Sequence, residues 1–559
     1  MIREKNDWLE SRKVFEFRSR DHGSDDRSLA HASDCEFIVG SPLLADIHHS
    51  DGQEWPSYLA LHPAFLTESM NMISRLSWAL PAFLIAISLS PSSFAEAPTK
   101  EHPNVLFIYL DDYGWRDASF MGSDFYETPN LDALAERGMV FSNAYSCAAN
   151  CAPARASLLS GQYSPRHEIY NVGTERRGNP KHGTLQHIPG TDVLSTEIRT
   201  WAHQVHEAGY RTGIIGKWHL SDDPLPYGFD INVAGTHSGS PPKGYFPPHP
   251  KAPGLQDATD DEYLTDRLTD EAIRFITDNQ ERSWFLYLSH FAVHTPLQAK
   301  LELVAKYKAK QPGTLHDHAV MAAMIESVDE GVGRMVDTLR ELGLEESTAI
   351  VFTSDNGGFG PATSMKPLRG YKGTYYEGGI REPFFVTWPG VVDAGTKCEI
   401  PIIAADLYPT FVEMTGAKLP ANQPLDGVSL MPLLKQDGSL ADRELYWHFP
   451  AYLQSYAVTD GQRDLLYRSR PCGIIRDGRW KLHEYFEDGG LELYDLVTDP
   501  GESSNLAVSN PIKTQALYSK LVAWRKQIGA PVPTEPNPNH DPASEAKAMQ
   551  KAERKAAKP

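Results

Sequence analysis

The stretch "NVLFIYL", residues 104–110, is an almost unbroken apolar run too short to be a helix of ordinary length. Nothing in it alternates with polar residues, so both of its faces must be covered. That is the pattern of a strand inside a parallel sheet sandwiched by helices. The runs that follow repeat the theme. "YRTGIIG", "WFLYLSHF" and "TAIVFTSDN" read as further buried strands. Between them lie "TPNLDALAERG", "STEIRTWAHQVHEAG", "DEYLTDRLTDEAIRFITDNQ" and "HAVMAAMIESVDEGVGRMVDTLRELG", with the periodicity, starts and glycine stops of amphipathic helices. Alternation of this kind predicts an α/β fold: a mixed, mostly parallel sheet flanked by helices.

The texture changes beyond about residue 440. "IIRDGRWKLHEYF" and "LELYDLVTDPGE" are β-rich with tight-turn signals at Asp477-Gly478 and Asp499-Pro500-Gly501. They predict a smaller antiparallel sheet. The organisation expected is therefore a catalytic domain over 103–435, a C-terminal subdomain over 436–530, and a solvated, disordered tail over 531–559.

The amino-terminal part reads differently. Arg75 precedes an apolar run over 76–89, which ends in small residues around Ala95 and Ala97. This is the order of a secretory signal, expected over 72–97, and the run falls short of the ~20 residues a membrane span needs. Residues 1–71 are polar and without periodicity. They read as a mis-assigned start or a disordered extension. Export to the periplasm or the cell exterior follows, without a stable membrane anchor. The net charge of −20 excludes a whole-protein basic field for nucleic acid, so an anionic partner must be met by a local basic patch. Five cysteines are too few for a disulfide scaffold.

Polar residues gather just after the strands. Asp111 and Asp112 follow the first, Lys217 and His219 the next, His294 the next, and Asp355 and Asn356 the last. Ligands of open α/β sheets bind beyond the carboxyl ends of the strands. Asp111, Asp112, Asp355 and Asn356 are hard oxygen donors, suited to Ca²⁺ or Mg²⁺ rather than Zn²⁺. With Lys217, His219, His294 and Arg155 they describe a site for a tetrahedral oxyanion.

"CAPARASLLSG", residues 151–161, places Cys151 at a helix start fixed by Pro153 and stopped by Gly161. The free N–H groups there acidify a thiol. Residues alone leave Cys151 open as a thiolate nucleophile, a metal ligand, or a partner of Cys147.

The motif Cys151-Ala152-Pro153-Ala154-Arg155, with Leu159 and Gly161, resembles that of the sulfatase family in the alkaline phosphatase superfamily. "LRGYKGTYYEGGIREP" (368–383), "DDYGW", "GKWH", "HTPLQ", "SDNGG" and "LYDLVTDPGE" are similar in the same order, over residues 103–530. The resemblance implies an alkaline-phosphatase-like fold and a sulfuric ester hydrolase. It implies that a maturation enzyme converts Cys151 to Cα-formylglycine, whose hydrated gem-diol attacks sulfur and later expels sulfate. It implies Ca²⁺ held by Asp111, Asp112, Asp355, Asn356 and modified residue 151. Arg155 and His219 would steady the diol, Lys217, His294 and Lys372 would bind sulfate oxygens, and His294 or Lys372 would protonate the leaving alcohol. Position 154 is alanine where the most familiar family form has serine.

Export and abundant aromatics suit a sulfated poly- or oligosaccharide. Arg176, Arg177, His237 and Lys243 are the residues expected to line its cleft. Two rival readings remain: a phosphodiester or phosphonate monoester hydrolase of the same superfamily, and a catalytically silent glycan-binding relative.

Overall fold

The structure is a computed structural model that describes residues 102–557, apart from Glu175 and residues 457–460. The expected signal segment and the extension before it lie outside the described residues.

Eight strands form the main sheet: β1 (Asn104–Leu110), β2 (Met139–Phe141), β3 (Arg211–Gly216), β4 (Ile231–Val233), β5 (Trp284–Ser289), β6 (Thr348–Ser354), β7 (Phe385–Thr387) and β8 (Thr396–Cys398). Their order is β8–β2–β7–β6–β1–β5–β3–β4. Only β7 runs against its two neighbours; every other pair is parallel. The mixed, mostly parallel sheet expected from the sequence is therefore present.

Period-2 alternation in β1 shows why its apolar run is continuous. Leu106, Ile108 and Leu110 point into one core, with residues of α3 (Leu264–Asp278) and α4 (Ala319–Glu341). Val105, Phe107 and Tyr109 point into the other, with α1 (Cys151–Ser160), α2 (Trp201–Glu207) and α5 (Leu407–Met414). All seven residues of β1 are buried. The helices of the first layer are tied together by Asp329 of α4, whose carboxylate accepts from the backbone N–H groups of Asn130 and Leu131 at 2.8–3.1 Å. These are orphan donors at the start of the helix Pro129–Glu136, so one helix caps another.

Two sequence expectations change. The helix expected from Ser195 begins only at Trp201, because the Thr200 hydroxyl accepts from His203 N–H and caps the chain there. The solvated tail expected from Pro531 contains a helix, α6 (Pro542–Ala556). Its Glu545 pairs with Arg470 at 2.8 Å and with His540 at 2.7 Å, and Pro536 bridges to Leu185. Its charged composition is met by partners far away in sequence, which composition alone does not show.

The C-terminal antiparallel sheet has four strands: β9 (Glu444–Phe449), β10 (Cys472–Asp477), β11 (Trp480–Tyr485) and β12 (Leu491–Asp495), in that order. Buried charges join it to the segment 368–383. Glu377 accepts from Tyr145 Oη at 2.7 Å and from Lys481 Nζ at 2.9 Å, and Lys481 also pairs with Glu502 at 3.0 Å. A small hairpin, Leu453–Gln454 with Tyr467–Ser469, hangs beside the same segment, where Ser469 donates to the Gly373 carbonyl at 2.7 Å.

Candidate active site

β6, β1, β5 and β3 are adjacent in the sheet, so the residues that follow them converge. Asp111 leaves β1 with its N–H on the Ala292 carbonyl at 2.9 Å. Asp112 then takes a left-handed φ of 61°, and His219 one of 69°. Non-glycine residues avoid this region, and holding them there spends folding energy to aim their side chains.

α1 delivers Cys151 and Arg155 from the other side. Asn150 precedes the helix in an extended conformation, Ala154 N–H closes onto the Asn150 carbonyl at 3.1 Å, and Gly161 ends it at φ 68°. Every residue of the helix is buried.

The polar contacts form one connected set. Lys217 Nζ lies 2.6 Å from Asp111 Oδ2, and both side chains are fully buried. Lys372 Nζ lies 2.8 Å from Asp112 Oδ2, and Asn356 Nδ2 donates to Asp112 Oδ1 at 2.8 Å. Arg155 Nε donates to Asp355 Oδ2 at 3.0 Å, and its Nη1 to Ser289 Oγ at 2.6 Å. His294 Nδ1 sits 2.7 Å from the Thr295 carbonyl and therefore carries the ring proton, leaving Nε2 toward Asp112 at 3.8 Å.

Electrostatics separate these groups. Burial alone would raise the Asp112 carboxyl, but the charges of Lys372 and Lys217 prevail and hold it well below the usual carboxylate range. Asp355 goes the other way, pushed up to about 6 by burial and by Asp111. Burial, with Lys372 beside it, lowers His294 to about 3, and burial with Lys217 and Arg155 lowers His219 well below its ordinary value. Both imidazoles are neutral near pH 7.

The donors fit a hard divalent cation. Asp111 Oδ1 and Asn356 Oδ1 are buried without a hydrogen-bond partner. One ligand atom from each of Asp111, Cys151 and Asp355 lies within 4.8 Å of the others, and the same holds for Asp111, Asp112 and His294. Three carboxylates gathered around Asp111, with two buried oxygens left without partners, call for positive charge.

The sulfatase family model matches residues 103–417, and a model described as N-sulphoglucosamine sulphohydrolase, C-terminal, matches residues 371–527. The chain belongs to the sulfatase family. A sulfatase of Formosa agariphila is 32% identical to it, covering 83% of this chain and 96% of that protein. The N-acetylgalactosamine-6-sulfatase of Homo sapiens is 30% identical, covering 78% of this chain and 88% of its own. The crystal structure of Ps i-CgsB in complex with k-i-k-neocarrahexaose is 28% identical at a TM-score of 0.62, covering 82% of this chain and 98% of that one. The protein is accordingly a sulfuric ester hydrolase of the α/β class.

Within this sulfatase, the structure brings Cys151, Arg155, Lys217, His219, His294 and Lys372 to the edge that carries Asp111, Asp112, Asp355 and Asn356. Cys147 and Cys151 are both free and buried. The residues expected to meet the sugar scatter. Arg176 stacks on Tyr452, its guanidinium 3.7 Å from the ring centroid, and donates to the carbonyls of His182 and Leu185. Those contacts tie its loop to the C-terminal part and leave it poorly placed as a glycan contact, against expectation. Arg177 is half-buried and meets no carboxylate among the described residues. His237 Nε2 bonds the Asp192 carbonyl at 3.1 Å, while Lys243 is exposed; both line a cavity of about 440 Å³ with Phe291. The loop of that cavity reaches the site, since Thr236 O accepts from His219 N–H at 2.9 Å. Gly239 packs so closely on the His219 ring that a Cβ there would lie 2.3 Å from it.

Sequence reasoning missed Ser289, which receives Arg155 and donates to the Lys217 carbonyl at 2.7 Å. It sits at the end of β5 beside the chosen His294, and the strand-end rule could have found it.

Proposed function

We propose that this sulfatase releases sulfate from a sulfated poly- or oligosaccharide, using Cα-formylglycine made from Cys151 and a divalent cation, Ca²⁺ by the chemistry of its donors. One observation carries the reading. Cys151 lies within 4.8 Å of the Asp111 and Asp355 carboxylates, and Asp111 Oδ1 is buried without a partner. A thiolate among hard anionic oxygens is repelled and serves no purpose, whereas an oxygen nucleophile beside a cation does.

Asp111, Asp112, Asp355 and Asn356 would hold the cation, which supplies positive charge to sulfate and nucleophile oxygens. Formylglycine supplies a nucleophilic hydroxyl and a second hydroxyl whose deprotonation frees the product. Arg155 is fixed by Asp355 and Ser289, and orients residue 151 from the next helical turn. His219 is neutral and has a buried Nδ1 without a partner, so it is suited to take a proton as base. Lys217 and Lys372 neutralise the sulfate oxygens. His294 presents Nε2, and an anionic ester beside it raises its proton affinity enough for it to protonate the leaving alcohol. A glycan substrate is supported by the relatives, one acting by name on N-acetylgalactosamine 6-sulfate and one solved with a carrageenan oligosaccharide. Export from the cell and action in the periplasm or outside complete the reading.

Sulfate release from defined sulfated oligosaccharides, with aryl phosphate and phosphonate esters run in parallel, tests it. The expected result is turnover of a sulfated sugar at least a hundredfold above the phosphorus esters. Preference for the phosphorus esters overturns it, as does tight glycan binding with no release of sulfate.

A further inference from the structure

The two imidazoles of the active site are each tied through the backbone to the wall of one cavity. His219 N–H donates to the Thr236 carbonyl at 2.9 Å, and His294 N–H donates to the Phe291 carbonyl at 2.9 Å. Thr236 and Phe291 both line the cavity of about 440 Å³. A third contact comes from Gly239, which lies between the lining residues Ser238 and Ser240. A Cβ at Gly239 would lie 2.3 Å from both Cε1 and Nε2 of His219, so this loop lies flush against that edge of the ring. The cavity therefore abuts the groups suited to move protons, rather than a distant face of the sheet.

Its lining has two characters. Ala234, Ala252 and Phe291 are each 1% exposed and give it an apolar, buried part. The rim is polar and open to water: Ser238, Ser240, Lys243 and Lys251 are exposed, with Asp222 as the carboxylate among them. Mostly apolar walls with a few polar groups, in a volume of about 300–1,000 Å³, are what sites for small organic molecules share. Two lysines against one carboxylate bias the rim toward an anion.

The rest of the site decides which part of a substrate reaches it. Lys217 and Lys372, paired with Asp111 and Asp112, stand where sulfate is to be held. His294 presents Nε2 to the departing alcohol, and the chain from His294 back to Phe291 leads into the cavity. We infer that this cavity is the subsite for the leaving sugar, and that Lys243 and Lys251 at its rim favour a sugar with a second anionic group, sulfate or carboxylate. The inference rests on the glycan sulfatase reading above and deepens it. His237 lines the same cavity but turns Nε2 to the Asp192 carbonyl at 3.1 Å, so it shapes the loop rather than meeting the sugar.

The test uses the mature protein, a small aryl sulfate, and three disaccharides that share one cleavable sulfate. One disaccharide is otherwise neutral, one carries a second sulfate, and one carries a uronate. Sulfate release gives kcat/KM and calorimetry gives affinity, for the wild type, for Ser240→Trp, and for Lys243→Gln combined with Lys251→Gln. Ser240 meets Ser238 through its backbone, so an indole at 240 enters the cavity with those bonds intact. In Ser240→Trp the ratio of kcat/KM for the neutral disaccharide over the aryl sulfate is expected to fall by about tenfold or more. The wild type is expected to favour a charged disaccharide over the neutral one by about fivefold, the scale of solvent-touched ion pairs. The paired glutamine substitutions should remove most of that preference. A disulfated favourite identifies the second anion as sulfate, and a uronate favourite identifies it as carboxylate. An unchanged ratio in folded Ser240→Trp overturns the sugar subsite. A wild type indifferent to the second charge, or a preference that survives loss of both lysines, overturns their role. The lysines are exposed, so their variant carries the test where Ser240→Trp does not fold. Absence of sulfate release from every substrate overturns the hydrolytic reading instead, and the same ratios taken from calorimetric affinities then decide the subsite.

Discussion

Lys372 Nζ and Asp112 Oδ1 lie 2.6 Å apart, joining the segment 368–383 to the end of β1 in a pair that is nearly inaccessible to water. Burial would discharge the lysine, but Asp112 holds its pKa above the ordinary value. The pair therefore keeps both charges ready for a sulfate and a cation. Lys372→Ala removes the positive charge that balances Asp112. The expected effect is a loss of about 10²–10³-fold in kcat/KM for the sulfated sugar, the size seen when a preorganised charge at a reacting anion is deleted. Steady-state kinetics on a folded variant checks it, and a loss under threefold contradicts the role.

Cation removal should be visible in stability as well as rate. Asp111, Asp112 and Asp355 crowd the site with negative charge that, among the described residues, Lys217, Lys372 and Arg155 offset. A ligand bound to the native state alone adds about 2.7 kcal/mol at a hundred times its Kd. Chelation should lower the thermal midpoint, and Ca²⁺ should restore both midpoint and turnover. A midpoint indifferent to chelator and to added Ca²⁺ contradicts the assignment.

Arg155 and Asp355 have fully buried side chains. Arg155→Ala leaves Asp355 beside Asp111 without its guanidinium counter-ion, and removing one member of a buried pair costs about 3–5 kcal/mol. Denaturant unfolding should show that loss. Arg155→Lys keeps the charge but not the fork that reaches both Asp355 and Ser289. Its expected destabilisation is smaller, with turnover still strongly reduced.

Asp329 predicts a pH dependence far from the active site. Burial raises its carboxyl to about 6, even though the N–H groups of Leu131 and Asn130 oppose the shift. The folded state then binds the proton more tightly than the unfolded chain. Its contribution is largest below the unfolded pKa and is lost as pH rises from about 4 through about 6, by up to about 3 kcal/mol. In Asp329→Asn the fall in stability over that window should be smaller by this amount. An identical slope in both proteins contradicts the assignment.

Much of the fold is legible in the sequence because apolar period and helix stops are local. β1 is buried on both faces, and the six apolar or near-apolar residues 105–110 in a row announce it. The strand-end position of Asp111, Lys217, His294 and Asp355 follows from the alternation of strand and helix, without any contact being known. The remainder depends on partners distant in sequence. Helix α6 forms from a Lys/Ala-rich tail whose Glu545 meets Arg470 in the small sheet region. Arg176 and Arg177 are neighbours of one kind, yet one is held by Tyr452 and the loop carbonyls while the other meets no carboxylate among the described residues. Arg468 lies in a segment with no motif, and its burial against Lys372 comes from the hairpin fold alone.

Ala154 is fully buried inside α1, between Cys151 and Arg155, and stands where the familiar family motif has serine. The most direct test of the account joins this helix to the chemistry. Mass spectrometry of the peptide that contains residue 151 is run on the same exported sample whose sulfate release is measured. The account predicts formylglycine at position 151 in proportion to specific activity, and no turnover in Cys151→Ala. Full turnover by protein whose Cys151 is unmodified contradicts it.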